Sequence, residues 1–114
     1  PYRRQRQMCI RDRFYVLVDN HFKEKKMVQD YANMLHRSPK TLSNLFTTCG
    51  LPSPLRIIHE RIEAEAKRLL LYSQKSAKEI TEILGFEAQA TFSRFFKKMT
   101  GESVSEYRKR EKQE

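Results

Sequence analysis

The chain lacks most of the residues that build metal sites, disulfide frameworks and membrane spans. Its 114 residues include no tryptophan, three glycines, four prolines and two cysteines. Cys9 and Cys49 have neither metal-ligand spacing nor a second cysteine pair, so we expect no metal, no disulfide and a reducing compartment. No apolar run approaches the ~20 residues of a membrane helix. The beginning of the chain carries arginines rather than the apolar stretch of a secretory signal.

Catalytic patterns are also absent from the sequence. The three histidines, His21, His36 and His59, are scattered, and no phosphate loop or nucleophile–base spacing accompanies them. We interpret His36 as a surface or phosphate-contacting residue and Cys49 as a small, partly buried one. The sequence therefore predicts no enzyme and no cofactor.

Positive charge is abundant. The chain has 23 Lys and Arg against 14 Asp and Glu, a net charge of +9. An excess of this size favours a polyanionic partner, either nucleic acid or an acidic membrane surface. The alternative is a soluble protein with an ordinary charged surface. The length and the 39% hydrophobic content fit one small domain with a compact core.

Part of that charge lies in a segment of doubtful origin, residues 1–13. The stretch from Arg3 to Asp12 can be encoded by CGT CGG CAG CGT CAG ATG TGT ATA AGA GAC, which resembles a transposon-type sequencing-library adapter. We expect residues 1–13 to be adapter-derived or disordered, and the true protein to extend upstream. The alternative is a natural basic arm that contacts phosphates or the minor groove. Without this segment, 18 basic and 13 acidic residues remain.

From Phe14 onward, the apolar spacing is helical nearly throughout. The pattern predicts an all-α domain, residues 14–114, with about seven helices. We expect a first helix-turn-helix unit over 27–51, a linker helix over 54–72 and a second unit over 76–108, followed by a frayed tail. The buried faces of the two second helices are predicted from their apolar residues: Leu42, Leu45 and Phe46, then Phe92, Phe95, Phe96 and Met99.

An internal repeat supports this organisation. Leu42-Ser43-Asn44-Leu45-Phe46 recurs fifty residues later as Phe92-Ser93-Arg94-Phe95-Phe96. Each copy follows a short apolar helix and a tight turn, and each is followed by Gly50 or Gly101. The alternative is a generic helical bundle with a chance match. In a helix-turn-helix unit, the second helix lies in the major groove. Thr41 and Thr91 are expected only to be solvated.

The same residues resemble the AraC/XylS family of bacterial regulators. The resemblance covers residues 28–108 and is most specific in the second unit, where Gly85-Phe86 precedes the run from Phe92 to Lys98. Gly101 and Tyr107-Arg108 complete the pattern. The chain departs from the family at Thr81, usually Ala, at Val104, usually Pro, and at Ala88, often a capping Asp or Ser.

The resemblance implies two classes of DNA contact. Asn and Gln suit adenine, Arg suits guanine, and Lys suits phosphate. The residues implied to contact bases also lie on the predicted outward faces: Lys40, Ser43, Asn44, Gln89, Ser93 and Arg94. Phosphate contacts are expected from Ser38, Thr47, Lys97 and Lys98.

These patterns together predict a sequence-specific regulator of transcription that binds double-stranded DNA. The two units would read adjacent major grooves about one turn apart. RNA polymerase is a further expected partner, and dimerisation would need a domain outside this chain. The expected location is the bacterial cytoplasm, at the nucleoid. Two other functions stay open: non-specific nucleic-acid binding and a helical protein-interaction module.

Overall fold

A computed structural model describes residues 9 to 112. Within this range the chain is helical, with no strand, as predicted. The seven helices in this range are α1 (Ile10–His21), α2 (Val28–Met34), α3 (Pro39–Thr48), α4 (Pro54–Tyr72), α5 (Ala77–Ile83), α6 (Gln89–Thr100) and α7 (Val104–Lys112). No helix in the described range has the length and apolar character needed to cross a membrane.

The chain divides into two compact units, Pro1–Arg61 and Ile62–Glu114, and the boundary falls inside α4. Each unit has its own apolar core. The buried apolar residues of the first unit are Phe14, Val18, Phe22, Tyr31, Ala32, Leu35, Leu42, Phe46, Ile57 and Ile58. Those of the second unit are Ile62, Ala66, Leu69, Leu70, Ile80, Leu84, Phe92, Phe96, Val104 and Tyr107.

Aromatic contacts organise the first unit. The ring of Phe14 meets Tyr31 and Phe46 edge-on, at centroid distances of 5.5 and 5.1 Å. Such edge-to-face pairs add stability beyond the apolar area that they bury. Tyr31 also donates its hydroxyl to the carbonyl of Lys25, at 2.6 Å. This bond fixes the loop that leads into α2.

A stacked ion pair attaches α1 to the middle of α4. The guanidinium of Arg61 lies 4.3 Å from the ring centre of Phe22 and donates from Nε to Asp19, at 2.7 Å. The arginine thereby combines a cation–π contact with a charged hydrogen bond. The arginine thus covers one face of the buried Phe22 ring.

Arg108 connects α7 with the carboxyl end of α4 in the second unit. Its Nε donates to the carbonyl of Leu70 at 3.1 Å, where a cation also suits the helix dipole. Its Nη2 is buried without a partner among the described residues. Beside it, the ring of Tyr107 meets Phe96 at 5.5 Å, so α7 is joined to α6 as well.

Two boundaries differ from the sequence prediction. α1 begins at Ile10, four residues before Phe14, with the amide of Arg13 bonded to the carbonyl of Cys9. The origin of residues 1–13 stays a prediction, and residues 1–8 lie outside the described range. The expected fraying after Arg108 is wrong as far as Lys112, because α7 continues to that residue. Arg110 stabilises this last stretch through Glu102, at 2.6 Å.

Candidate nucleic-acid interface

α3 begins at Pro39 and is capped by Ser38. The side chain of Ser38 accepts a hydrogen bond from the amide of Thr41, at 3.1 Å, and Pro39 occupies the first helical position. The proline suits this place because an amide there would have no helical partner. The hydroxyl of Ser38 also donates to Oγ1 of Thr41, at 2.8 Å. The predicted phosphate contact of Ser38 therefore competes with its capping role.

The buried face of α3 is narrower than predicted. Leu42 and Phe46 are buried, but Leu45 is 38% exposed. At about 100° per residue, Leu45 lies about 80° from the midpoint of the buried pair, so it sits at the edge of the face. The expectation that Leu45 faces inward is therefore wrong. With Ile10 and Cys49, Leu45 borders an open pocket of about 510 Å³ within the first unit.

α6 repeats this geometry fifty residues later. Phe92 and Phe96 are buried, with ring centroids 6.1 Å apart. Phe95, the equivalent of Leu45, is only half-buried and lies 5.5 Å from the ring of Phe86. Its predicted inward orientation is only partly correct, for the same angular reason. Met99 is likewise half-buried.

Asn44 and Arg94 occupy the centre of the two outward faces. Each lies about 180° from the midpoint of its buried pair, at about 100° per residue. Both residues are exposed, and their side chains enter no hydrogen bond among the described residues. Ser43 and Ser93 lie about 80° from the buried midpoint by the same rotation. Ser43 is exposed and Ser93 is half-buried.

The remaining predicted contact residues are all exposed. They are Lys40 and Thr47 on α3 and Gln89, Lys97 and Lys98 on α6. Each unit therefore brings its predicted residues onto one helix and its cap. Those of α3 are Ser38, Lys40, Ser43, Asn44 and Thr47, and those of α6 are Gln89, Ser93, Arg94, Lys97 and Lys98. Whether they contact bases or phosphates stays a prediction.

In each helix-turn-helix pair, α2 with α3 and α5 with α6, acidic residues are distributed unequally between the two helices. Glu79 of α5 accepts a hydrogen bond from the amide of Ser76 at 2.9 Å, and this bond is the main cause of its lowered pKa. Asp30 of α2 accepts from the amide of Met27 in the same way, at 3.4 Å. The first turns of α3 and α6 contain no acidic residue. Because carboxylates would repel phosphate, the first turns of α3 and α6 suit a polyanion better than those of α2 and α5.

The two tight turns share a left-handed residue. Gly85 has a φ of 80°, a conformation that glycine adopts readily, and His36 at the matching position of the first turn has a φ of 57°. The role of His36 in this turn was missed by the sequence reasoning. Aligning Leu35-His36 with Leu84-Gly85 would have revealed it, because both pairs follow a short apolar helix.

The departures at Thr81, Val104 and Ala88 are accommodated differently. Thr81 is buried and donates its hydroxyl to the carbonyl of Ala77 at 2.8 Å, so its polar group is satisfied. Val104 begins α7 with its side chain buried. Ala88 provides no side-chain cap for α6.

Among the described residues, no group of three or more His, Cys, Asp or Glu side chains could hold a metal ion. Cys9 and Cys49 are both free and exposed. The expectation that Cys49 is partly buried is therefore wrong.

Comparison with known proteins agrees with this geometry. A family model described as "Helix-turn-helix domain" matches residues 31–110. The raffinose operon transcriptional regulatory protein of Pediococcus pentosaceus is 33% identical over 82 residues, which make up 72% of this chain and 30% of that protein. The arabinose operon regulatory protein of Salmonella typhimurium is 35% identical over 92 residues, 81% of this chain and 31% of that protein.

A solved structure extends the match to the fold. The C-terminal domain of AraT, a response regulator from Geobacillus stearothermophilus, matches with a TM-score of 0.79 at 29% identity, over 91% of this chain and 87% of that one. The chain spans 30% to 38% of the length of the curated relatives it matches. It belongs to the AraC/XylS family of helix-turn-helix domains, a family of DNA-binding transcriptional regulators and not of enzymes.

Proposed function

We propose that this chain binds double-stranded DNA sequence-specifically and thereby regulates transcription, with α3 and α6 as its recognition helices. One observation carries the proposal. Two helices fifty residues apart bury the same pair of positions, and each presents an exposed polar residue, Asn44 or Arg94, at the centre of its opposite face. A helix that docks by one face and offers polar groups on the other is what the major groove admits.

The residue types suggest what each helix reads. Asn44 and Gln89 have amides that can pair with the edge of adenine through two hydrogen bonds. Arg94 has the fork of donors that matches guanine. Lys97 and Lys98 carry charge without such directionality, so phosphate is their proposed partner.

The length of α4 supports two successive major grooves as the target. Its 19 residues give a helix of roughly 28 Å. This length is comparable with the ~34 Å of one DNA turn, once the width of the recognition helices is added. A monomer would then recognise a bipartite, non-palindromic site.

Selection of DNA from a random pool with the full chain tests the proposal. We expect an enriched motif with two half-sites about one helical turn apart. Binding with a steep salt dependence but no enriched motif would identify a non-specific nucleic-acid-binding protein instead. Little binding at any salt concentration would favour a protein-interaction module.

Three further assignments accompany this proposal. RNA polymerase would be contacted at the promoter, since regulation requires an effect on transcription. Dimerisation would depend on a part of the regulator outside this chain. The place of action would be the bacterial cytoplasm, at the nucleoid, because that is where the proposed DNA partner is found.

A further inference from the structure

The two recognition helices carry their positive charge at opposite ends. At the amino end of α3 lie Arg37, just before the cap, and Lys40 in the first turn, and both are exposed. Its carboxyl end has only the neutral Thr47 and Thr48 among its exposed outward residues. The amino end of α3 is therefore cationic and its carboxyl end is neutral.

α6 has the reverse arrangement. An exposed acid, Glu87, precedes its cap, and Gln89 and Ala90 in its first turn are neutral. Its exposed cations are Arg94 at the centre and Lys97 and Lys98 in the last turns. Thr47 and Thr48 of α3 thus correspond to the two lysines of α6, fifty residues on.

The backbone next to α3 holds Arg37 at this end. Its guanidinium donates from Nη1 to the carbonyl of His36, at 3.2 Å, and its amide bonds the carbonyl of Ala32, at 2.9 Å. His36, which lies in the turn between Ala32 and Arg37, has the left-handed backbone conformation that this turn requires. Arg37 is therefore tied to the turn, with its other guanidinium nitrogens available to a ligand.

Neighbouring charges do not remove the asymmetry. Arg11 borders the flank of α3 at Leu45 and Cys49, but its charge is matched by Asp12, at 3.2 Å. On α6, Lys97 interacts with Glu106, whose pKa is lowered mainly by a hydrogen bond from the backbone of Ser103 and least by Lys97.

The dimensions of the major groove turn this asymmetry into a prediction about phosphates. The groove is ~12 Å wide, so a helix of about 15 Å that crosses it has its two ends close to different phosphate strands. The cationic end of the helix then contacts the phosphates of one strand. The neutral end offers no positive charge to the phosphates of the opposite strand.

We propose that α3 is anchored to the DNA backbone through its amino end, by Arg37 and Lys40, and α6 through its carboxyl end, by Lys97 and Lys98. This inference rests on the proposed function. It adds Arg37 to the phosphate contacts and assigns Lys40 to phosphate instead of a base edge.

The test uses the full chain and the DNA site obtained by selection, with single phosphates replaced by neutral methylphosphonates. The base positions at which Gln89→Ala and Arg94→Ala each lose their preference are compared, and their order shows the direction of α6 along its half-site. Asn44→Ala and Thr47→Ala do the same for α3. Each methylphosphonate DNA is then titrated with wild type, with Arg37→Gln/Lys40→Gln and with Lys97→Gln/Lys98→Gln.

We expect neutral phosphates beyond the amino end of α3 to weaken wild-type binding on the order of fivefold, and to have no added effect in Arg37→Gln/Lys40→Gln. Neutral phosphates beyond the carboxyl end of α6 should likewise weaken wild-type binding and have no added effect in Lys97→Gln/Lys98→Gln. Lys109→Gln, which removes an exposed charge outside α3 and α6, should keep the wild-type pattern.

Two results would overturn the inference. If a motif is selected but the sensitive phosphates lie equally at both ends of each helix, or couple to the wrong pair of variants, the anchoring is wrong and the proposed function stands. If selection yields no motif, the proposed function itself fails, and the inference fails with it.

Discussion

His36 has a backbone conformation that residues with a side chain rarely adopt. Its φ of 57° matches the 80° of Gly85 in the other unit. For a residue with a Cβ, the left-handed region costs about 1–2 kcal/mol, whereas glycine occupies it freely. The first turn is therefore strained where the second is relaxed.

Replacing His36 by glycine should release this strain. We expect His36→Gly to raise the free energy of unfolding by up to about 1 kcal/mol, since glycine's greater freedom in the unfolded chain offsets part of the gain. Urea denaturation followed by circular dichroism measures it. His36→Ala is the matched control, because it removes the imidazole and keeps the Cβ. A glycine variant no more stable than the alanine variant would contradict the strain.

Arg94 and Lys97 should differ in what they contribute to binding. Arg94→Ala should relax base preference in one half-site and lose about 1–3 kcal/mol there, because a directional contact to a base is removed. Lys97→Ala should weaken binding to all sequences alike and reduce the salt slope by about one unit. Titration of matched and mismatched sites over a salt series separates the two. Equal losses on every sequence from both variants would show that the roles are wrongly assigned.

Tyr31 predicts a loss of stability at high pH. Burial is the main cause that raises its pKa from the ordinary 10.0 to about 12, so the unfolded chain ionises first as the pH rises. Ionisation favours the unfolded state between these values, and below pH 10 both states keep the proton. We expect the stability advantage of wild type over Tyr31→Phe to shrink by about 1 kcal/mol between about pH 9 and pH 11. A difference that stays constant over this range would count against the buried hydroxyl.

At the scale of the helix, local signals fixed some boundaries and could not fix others. Prolines, caps and glycines predicted α4 from residue 54 to residue 72, and it spans Pro54–Tyr72. The exposure of Leu45 could not be predicted in this way, because an apolar residue at the edge of a face satisfies the same periodicity as one at its centre. The continuation of α7 to Lys112 depends on Arg110 reaching back to Glu102, a contact that spacing alone does not reveal.

The missing cap of α6 can be supplied. Ala88 has the extended backbone of a capping residue, φ −141° and ψ 147°, but no side-chain acceptor. Ala88→Ser should therefore stabilise the protein by about 1 kcal/mol, by accepting a hydrogen bond from a first-turn amide. Thermal unfolding measures the gain. Ala90→Ser, inside the same turn, is the control and should be neutral or slightly destabilising. Similar gains from both variants would argue against capping.

At the scale of the whole molecule, the chain forms two units, each with its own core, and α4 contains the boundary between them. The sequence predicted this division from the repeat, because each copy brought its own apolar helix, turn and glycine. The sequence could not predict which long-range side-chain contacts join the helices within each unit. The stacking of Arg61 on Phe22 and the bond from Arg108 to Leu70 join residues far apart in the chain.

Loosening α4 should affect only DNA that engages both units. Ala64 is exposed in the middle of this helix, and Ala64→Gly weakens a helix interior by roughly 1 kcal/mol. We expect weaker binding to a bipartite site, because a looser connection lowers the effective concentration of the second unit. Affinity for DNA with a single half-site should not change, and a gel-shift titration compares the two. Equal loss on both DNAs would mean that Ala64 acts through overall stability.

The fifty-residue register of α3 and α6 has a consequence for engineering. Because Leu42 and Phe46 dock α3 as Phe92 and Phe96 dock α6, the outward side chains of the two helices are interchangeable in position while their supports stay in place. Transplanting Asn44 onto the matching site of α6, position 94, would leave both its aromatic anchors and its two lysines, Lys97 and Lys98, untouched. The resulting chimera would present the same central side chain on both recognition helices, which makes this domain a scaffold for DNA sites composed from two half-sites.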